Sequence, residues 1–142
     1  MSKKVLVDTN IFLDYYLNRQ SGIIPIGEFA FQFVQRTLEC EFFIVICVEA
    51  FNELLLVLGM NENELWGKVL KPLRVKNKIE VIKPTVEQKV IARRLAAEKK
   101  VSFVDAVSYV MAKENSLILV TRDKHFFEEL NASEIAFKPE EL

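Results

Sequence analysis

Lys4-Val5-Leu6-Val7-Asp8-Thr9-Asn10, close to the N-terminus, decides how the rest of the chain is read. Three consecutive apolar residues, two of them β-branched, run directly into an acid, a hydroxyl and an amide. A continuous apolar run of this kind suits a strand buried on both faces of a parallel sheet. Ligands of open α/β sheets bind outside the carboxyl ends of the strands. Asp8 stands at such an end, which makes it a candidate anchor for a site fed by acids from other elements.

Downstream segments alternate between the two periods. Asn10–Leu17 reads as a short helix and Pro25–Leu38 as a longer one, with Gly27 disfavouring its first turn. Glu41–Ile46 is an aromatic and β-branched strand, and Cys47–Leu58 a helix ended by Gly59. Asn61 to Val75 is expected to be helical with a break near Pro72, followed by a strand at Ile79–Ile82. Thr85 and Gln88 match a capping box, opening a helix whose core stripe should be Val86, Val90, Ile91 and Leu95. Ser102 opens another helix, with Phe103, Ala106, Val107, Val110 and Met111 turned inward. Ser116–Val120 is the fourth strand, Lys124–Leu130 a short helix and Glu134–Phe137 a weak fifth strand. The tail over 138–142 is expected to fray. Strands alternating with helices predict a single α/β domain over 1–142, with a parallel sheet and helices on both faces.

Composition narrows the function classes. An apolar fraction of 51% argues against disorder. A net charge of −1 supplies no global field for nucleic acid, so any such binding needs a local patch. Cys40 and Cys47 form no CxxC, and His125 is the sole histidine, so a four-ligand zinc set is missing. Free, buried thiols suit a reducing cytoplasm. Asp8 and Asn10 arrive too early for a signal-peptide apolar region, and no apolar run is long enough to span a membrane.

Four acids stand out: Asp8, Glu53, Asp105 and Asp123. Asp8 and Asp123 could each cap the helix that follows, and Ser102-x-x-Asp105 resembles a capping box. Glu53 is harder to explain by local structure. Its helix is apolar nearly all round, which predicts burial, and no lysine or arginine occupies positions 49, 50, 56 or 57. Asp8 and Asp123 both follow strands and therefore share one sheet edge. The helix opened by Cys47 starts on that edge too, and Glu53 lies about 9 Å along it. Converging carboxylates raise one another's pKa unless a cation intervenes. An all-carboxylate set favours Mg2+ or Mn2+ over zinc.

Val-Asp-Thr-Asn at 7–10, Glu-Leu at 53–54 in a helix, Asp-Ala at 105–106 in another, and Thr-Arg-Asp at 121–123 after a strand together resemble the PIN domain. The resemblance covers nearly the whole chain, and its compact length is similar to the toxin-type VapC-like ribonucleases of toxin–antitoxin pairs. It implies a three-layer α/β/α sandwich with a five-stranded parallel sheet. It implies that Asp8, Glu53, Asp105 and Asp123 form a catalytic, metal-binding quartet for one or two Mg2+ or Mn2+ ions, with Asn10 and Thr121 in support. It implies hydrolysis of RNA in the cytoplasm, a homodimer, and a small antitoxin protein as partner. Cys47 departs from the family in standing where a Ser or Thr often opens the third helix. The stretch Arg19–Phe33 is more apolar than an exposed insertion should be.

Phosphate needs cations beside such a site. Arg122 and Lys124 flank Asp123 and are the RNA-binding candidates; Lys68, Lys71, Arg74, Lys76 and Lys78, and then Arg93, Arg94, Lys99 and Lys100, read as solvated faces. His125 reads as a surface residue, and Trp66, Phe103 and Tyr109 as core or interface. A haloacid-dehalogenase-like phosphatase would want a second aspartate where Asn10 stands. A receiver domain would want an acid where Ile82-Lys83-Pro84 ends the third strand. The stronger rival is a non-catalytic PIN-like domain that binds RNA or protein.

Overall fold

A computed structural model describes residues 2–142; Met1 lies outside them. The five strands are β1 (Lys3–Val7), β2 (Phe42–Cys47), β3 (Ile79–Ile82), β4 (Ile118–Val120) and β5 (Ala136–Phe137). Every pairing is parallel and the spatial order is β3-β2-β1-β4-β5. Helices lie on both sides of the sheet, as the alternating pattern requires.

β1 is central: its Val5, Leu6 and Val7 are fully buried, Val5 and Leu6 pair on both edges, and Val7 pairs with Val120 of β4. Leu6 lies opposite Val45 on one side and Leu119 on the other. The chain steps from β1 through β2 to β3 on one side, then returns to lay β4 and β5 on the other. The strand order therefore reverses between β1 and β4, and a crevice opens at their carboxyl ends. The backbone N–H of Asp8 donates to the Val120 carbonyl at 3.0 Å, locking those two ends together.

The helices are α1 (Thr9–Leu17), α2 (Ile26–Leu38), α3 (Val48–Leu58), α4 (Glu62–Glu64), α5 (Lys71–Val75), α6 (Val86–Lys99), α7 (Phe103–Glu114) and α8 (Lys124–Phe127). Expected and observed bounds agree closely for the long elements. Asn61–Val75 differs more: Leu65–Val69 is a π-helical segment, and the chain breaks at Leu70 so that Pro72 falls in the first turn of α5. Proline is tolerated there because its missing N–H would be unpaired anyway. The capping box of Thr85 and Gln88 is present in both directions.

Three further expectations are corrected. The α6 stripe does not all face the core: Val86 is 78% exposed, with Val90 and Ile91 also exposed. Gln88 and Ala92 are buried instead, because the helix seats on α7 rather than on the sheet. Cys40 is exposed, while Cys47 is buried. The tail does not hang free: Pro139–Glu141 form a 3-10 turn, Arg36 donates to the Leu142 carbonyl at 2.8 Å, and Arg122 grips Glu140.

Gly27 shows why a poor helix former opens α2. A Cβ there would meet the backbone of Asn18 at 2.6 Å, where α1 ends in a left-handed turn (φ 49°). The glycine thus permits close approach of the two helices. Gly27→Ala should cost roughly 1–3 kcal/mol by overpacking. Gly67, on the exposed side of the π-helical segment with open space around it, should tolerate alanine with no loss. Paired urea melts check this contrast.

Candidate active site

Asp8 and Asp123 follow the two strands that border the crevice, β1 and β4. Asp8 directly follows β1 and is only 2% exposed. It occupies the N-cap position of α1, but its side chain makes no capping bond. Its Oδ2 instead accepts from Thr121 Oγ1 at 3.0 Å. The local explanation for this acid therefore fails, and its carboxylate is turned toward β4. Thr121 is fully buried and its Oγ1 also accepts from the Asp123 backbone N–H at 3.1 Å. One hydroxyl thus orients both strand-end loops.

Asp123 does keep a local task. Its Oδ1 accepts from the His125 N–H at 2.9 Å, capping α8. Asp105 lies in the first turn of α7 and its N–H donates to Ser102 Oγ at 3.1 Å. Only half of a capping box forms there, so the Asp105 carboxylate is not spent on the cap. Glu53, on α3, is half-buried rather than deeply buried. The helix that carries it exposes Leu56 and Val57, so apolar composition overstated its enclosure. Its charge still reaches Asp8 and Asp105.

Electrostatics tie the four together. Burial pushes the Asp8 carboxyl up to about 7, aided by the negative charges of Asp105, Asp123 and Glu53 and opposed by the Thr121 hydrogen bond. Burial likewise pushes Asp105 to about 6, with Asp123 and Glu53 adding to it and Ser102 opposing. Among the described residues, none of these four acids has a lysine or arginine ion-pair partner.

This donor set fits a hard divalent cation in chemistry: several carboxylates, mutually repelling, with no cation of the protein's own. Thr9 Oγ1, beside Asp8, is also buried without a hydrogen-bond partner. The acids are not closed into a ready cage, since no group of three possible ligands is drawn together among the described residues.

The sequence profile of the PIN domain matches residues 5–132. The chain belongs to the PIN domain family. Nuclease activity is general in that family, as is use of divalent metals. Comparison with curated protein sequences gives no match. Solved structures share the fold at low identity. A toxin–antitoxin complex from Klebsiella pneumoniae aligns with TM-score 0.63 and 17% identity, over 95% of this chain and 97% of that one. FitAcB from Neisseria gonorrhoeae aligns with TM-score 0.62 and 21% identity, over 97% and 99%. VapBC2 from Rickettsia felis, bound to a DNA fragment from their promoter, aligns with TM-score 0.64 and 14% identity, over 95% and 98%.

Family membership frames the remaining residues of this PIN domain. Cys47, at the position where the family often has Ser or Thr, still caps its helix: its thiol accepts from Ala50 N–H and meets Ser108 Oγ, each at 3.4 Å. Burial pushes that thiol up, so it stays protonated and inert. Arg122 is turned away from a simple phosphate role, since both Nη atoms bind Glu140. Lys124 is exposed. Lys68 pairs with Glu64, Arg74 lies over Trp66 and Arg93 over Phe103, so these cations decorate helix faces. His125 lies 3.2 Å from Glu129, which raises its pKa. No helix among the described residues is long and apolar enough to cross a membrane.

Asp14, Arg19 and Ser108 were not anticipated. Asp14 carried the signal used for Glu53, an acid among apolar helix residues. Its partner was hidden because Arg19 lies five positions on, beyond the helix end, outside the usual intrahelical spacing.

Asp8 has a testable linkage. An unfolded aspartate titrates near 3.9, whereas the folded one titrates near 7. Between those values the folded state holds the extra proton, so stability falls as pH rises through the window and is flat above it. Metal-free protein should lose on the order of 2 kcal/mol from pH 4 to pH 7 on this account. Asp8→Asn should flatten that slope and melt higher than the parent protein at pH 8. Denaturant melts across pH check both, and an unchanged slope in Asp8→Asn would contradict the assignment.

Proposed function

We propose that this PIN domain is a Mg2+- or Mn2+-dependent ribonuclease and the toxin of a toxin–antitoxin pair. The observation that carries the reading is Asp8. It is a buried acid at the sheet's switch point, its side chain unused as a cap, repelled by three other acids and, among the described residues, paired with no cation. Such an arrangement costs folding stability, and a divalent cation offsets that cost.

Asp8, Asp105 and Asp123 would hold the ion, which when bound would supply Lewis acidity to the phosphate and to water. Glu53, half-buried and not assigned to hold the ion, would accept the proton of the attacking water. The water oxygen would bond to phosphorus as the P–O3′ bond breaks, and the proton taken up by Glu53 would return, directly or through water, to the departing O3′, leaving a 5′-phosphate and a 3′-hydroxyl. Thr121 would keep Asp8 in its working rotamer through the hydrogen bond it donates. Asn10, in the first turn of α1 and lining a cleft with Asp123, would orient water. Lys124 would add a mobile positive charge for RNA, and Arg122 a partly committed one.

The partner side of the proposal draws on two supports. One solved structure of the same fold is described as a toxin–antitoxin complex. This chain also leaves apolar side chains open to solvent, with Leu56 83% and Val57 58% exposed on α3, surface that a homodimer or a small antitoxin would cover. A cytoplasmic setting fits the free thiols of Cys40 and Cys47.

A mixed RNA pool incubated with Mn2+ should be cut, and chelator should stop cutting. Asp8→Asn and Asp105→Asn should each lower the rate by about a hundredfold or more, while circular dichroism stays unchanged. End mapping should find 5′-phosphates. RNA retained equally with and without chelator, and never cut, would instead identify a binding-only PIN domain.

A further inference from the structure

Arg19 is held in a way the acidic quartet does not explain. Its Nε donates to Asp14 Oδ1 at 2.9 Å, and Nη2 reaches Asn10 Oδ1 at 3.4 Å and the Asn10 carbonyl at 3.5 Å. Its backbone is pinned as well: the Arg19 N–H donates to the Asp14 carbonyl at 3.3 Å, and Gly27 N–H donates to the Arg19 carbonyl at 2.8 Å. Nη1 makes no hydrogen bond among the described residues, although a guanidinium carries five donors. The side chain is 39% exposed, against 3% for Asp14.

The cleft beside this arginine is shared with the site. It has a volume of about 250 Å3 and is lined by Asn10, Asp14, Arg19, Arg122 and Asp123 among others. Asp14 feels the charges of both Arg19 and Arg122, so two guanidiniums converge on one buried carboxylate. Arg122 contributes an Nε that is buried without a partner, its two Nη atoms being taken by Glu140. A buried ion pair made only for stability would be matched or bettered by apolar residues. A half-open arginine with free donors, anchored at backbone and side chain, is instead pre-organised for an anion.

We propose that Arg19, held by Asp14 and Asn10 and flanked by Arg122, forms a subsite for an RNA backbone phosphate neighbouring the one that is cleaved. This rests on the ribonuclease reading and deepens it. The cleaved phosphate would meet the ion held by the acids; the adjoining phosphate, in the cleft that Arg19 and Arg122 line beside Asp14 and Asp123, would meet the unpaired guanidinium donors. Arg19 is the principal contact, and Asp14 is its positioning residue.

The experiment uses the full chain with Mn2+ and labelled single-stranded RNA, comparing Arg19→Gln and Arg19→Lys with the parent protein. Arg19→Gln should raise KM on the order of tenfold, with the loss falling mainly on KM rather than kcat. In an Asp8→Asn background, RNA affinity against salt should lose about 0.7 of its logarithmic slope when Arg19→Gln is added. Arg19→Lys should restore the slope but only part of KM, because it keeps the charge and loses the planar fork. If Arg19→Gln fails to fold, the double variant Asp14→Asn/Arg19→Gln removes the stranded acid and carries the same measurements. Unchanged KM and slope in a protein that still cleaves RNA overturn the subsite alone. A parent protein that neither binds nor cuts RNA overturns the subsite together with the ribonuclease reading.

Discussion

Everything at the functional end of this molecule depends on the parallel pairing of β1 with β4. Asp8 N–H donates to the Val120 carbonyl, and one residue further on Thr121 Oγ1 donates to Asp8 Oδ2. These two bonds join segments 113 positions apart in the chain. They set the carboxyl ends of the two strands level, so the acids that follow meet at one edge. A shift of the register by one residue would send each side chain of the strand, and Asp8 after it, to the face it does not now occupy. The site would then be lost before any catalytic residue was altered.

The same junction carries an electrostatic load. Four acids influence it with no lysine or arginine paired to any of them among the described residues, and burial drives Asp8 toward neutrality. The sheet tolerates this because the core beneath is continuous: Val5, Leu6, Val7, Leu119 and Val120 are fully buried. Beside it, the chain takes the opposite course. Asp14 is as buried as Asp8, yet it is matched by Arg19 at short range. Two buried acids six residues apart, one at the N-cap of α1 and one within it, thus meet different fates, one left without a cation and one paired with an arginine. That contrast separates a position suited to a cation from one that holds a cationic side chain in place.

Much of this was legible in the chain. Strand and helix periods revealed the alternating α/β order, and the run from Val5 to Asn10 located the key strand end. Asp105 and Asp123 were visible from their settings beside Ser102 and Thr121. Glu53 is less enclosed than its sequence setting suggests. Its helix looked apolar all round, but Leu56 and Val57 face solvent, because composition reports hydrophobicity and not which side a partner covers. The α6 stripe misled in the same way: Val86, Val90 and Ile91 are spaced for a core they do not enter. Arg122 sat beside Asp123 in sequence, yet Glu140 from the tail claims both its Nη atoms, a pairing no local pattern could reveal.

The sequence by itself determined the element types, the parallel class of the sheet and which acids lie just past strand ends, because these follow from short-range periodicity and chain direction. It also carried the ordered motifs by which the PIN family is recognised. Only the tertiary structure decided the strand order that places β1 beside β4, the neutralisation of Asp14 by Arg19, and the freedom of Asp8 from any capping duty. Those depend on contacts between distant segments, where packing and burial choose among partners that local spacing leaves equally available.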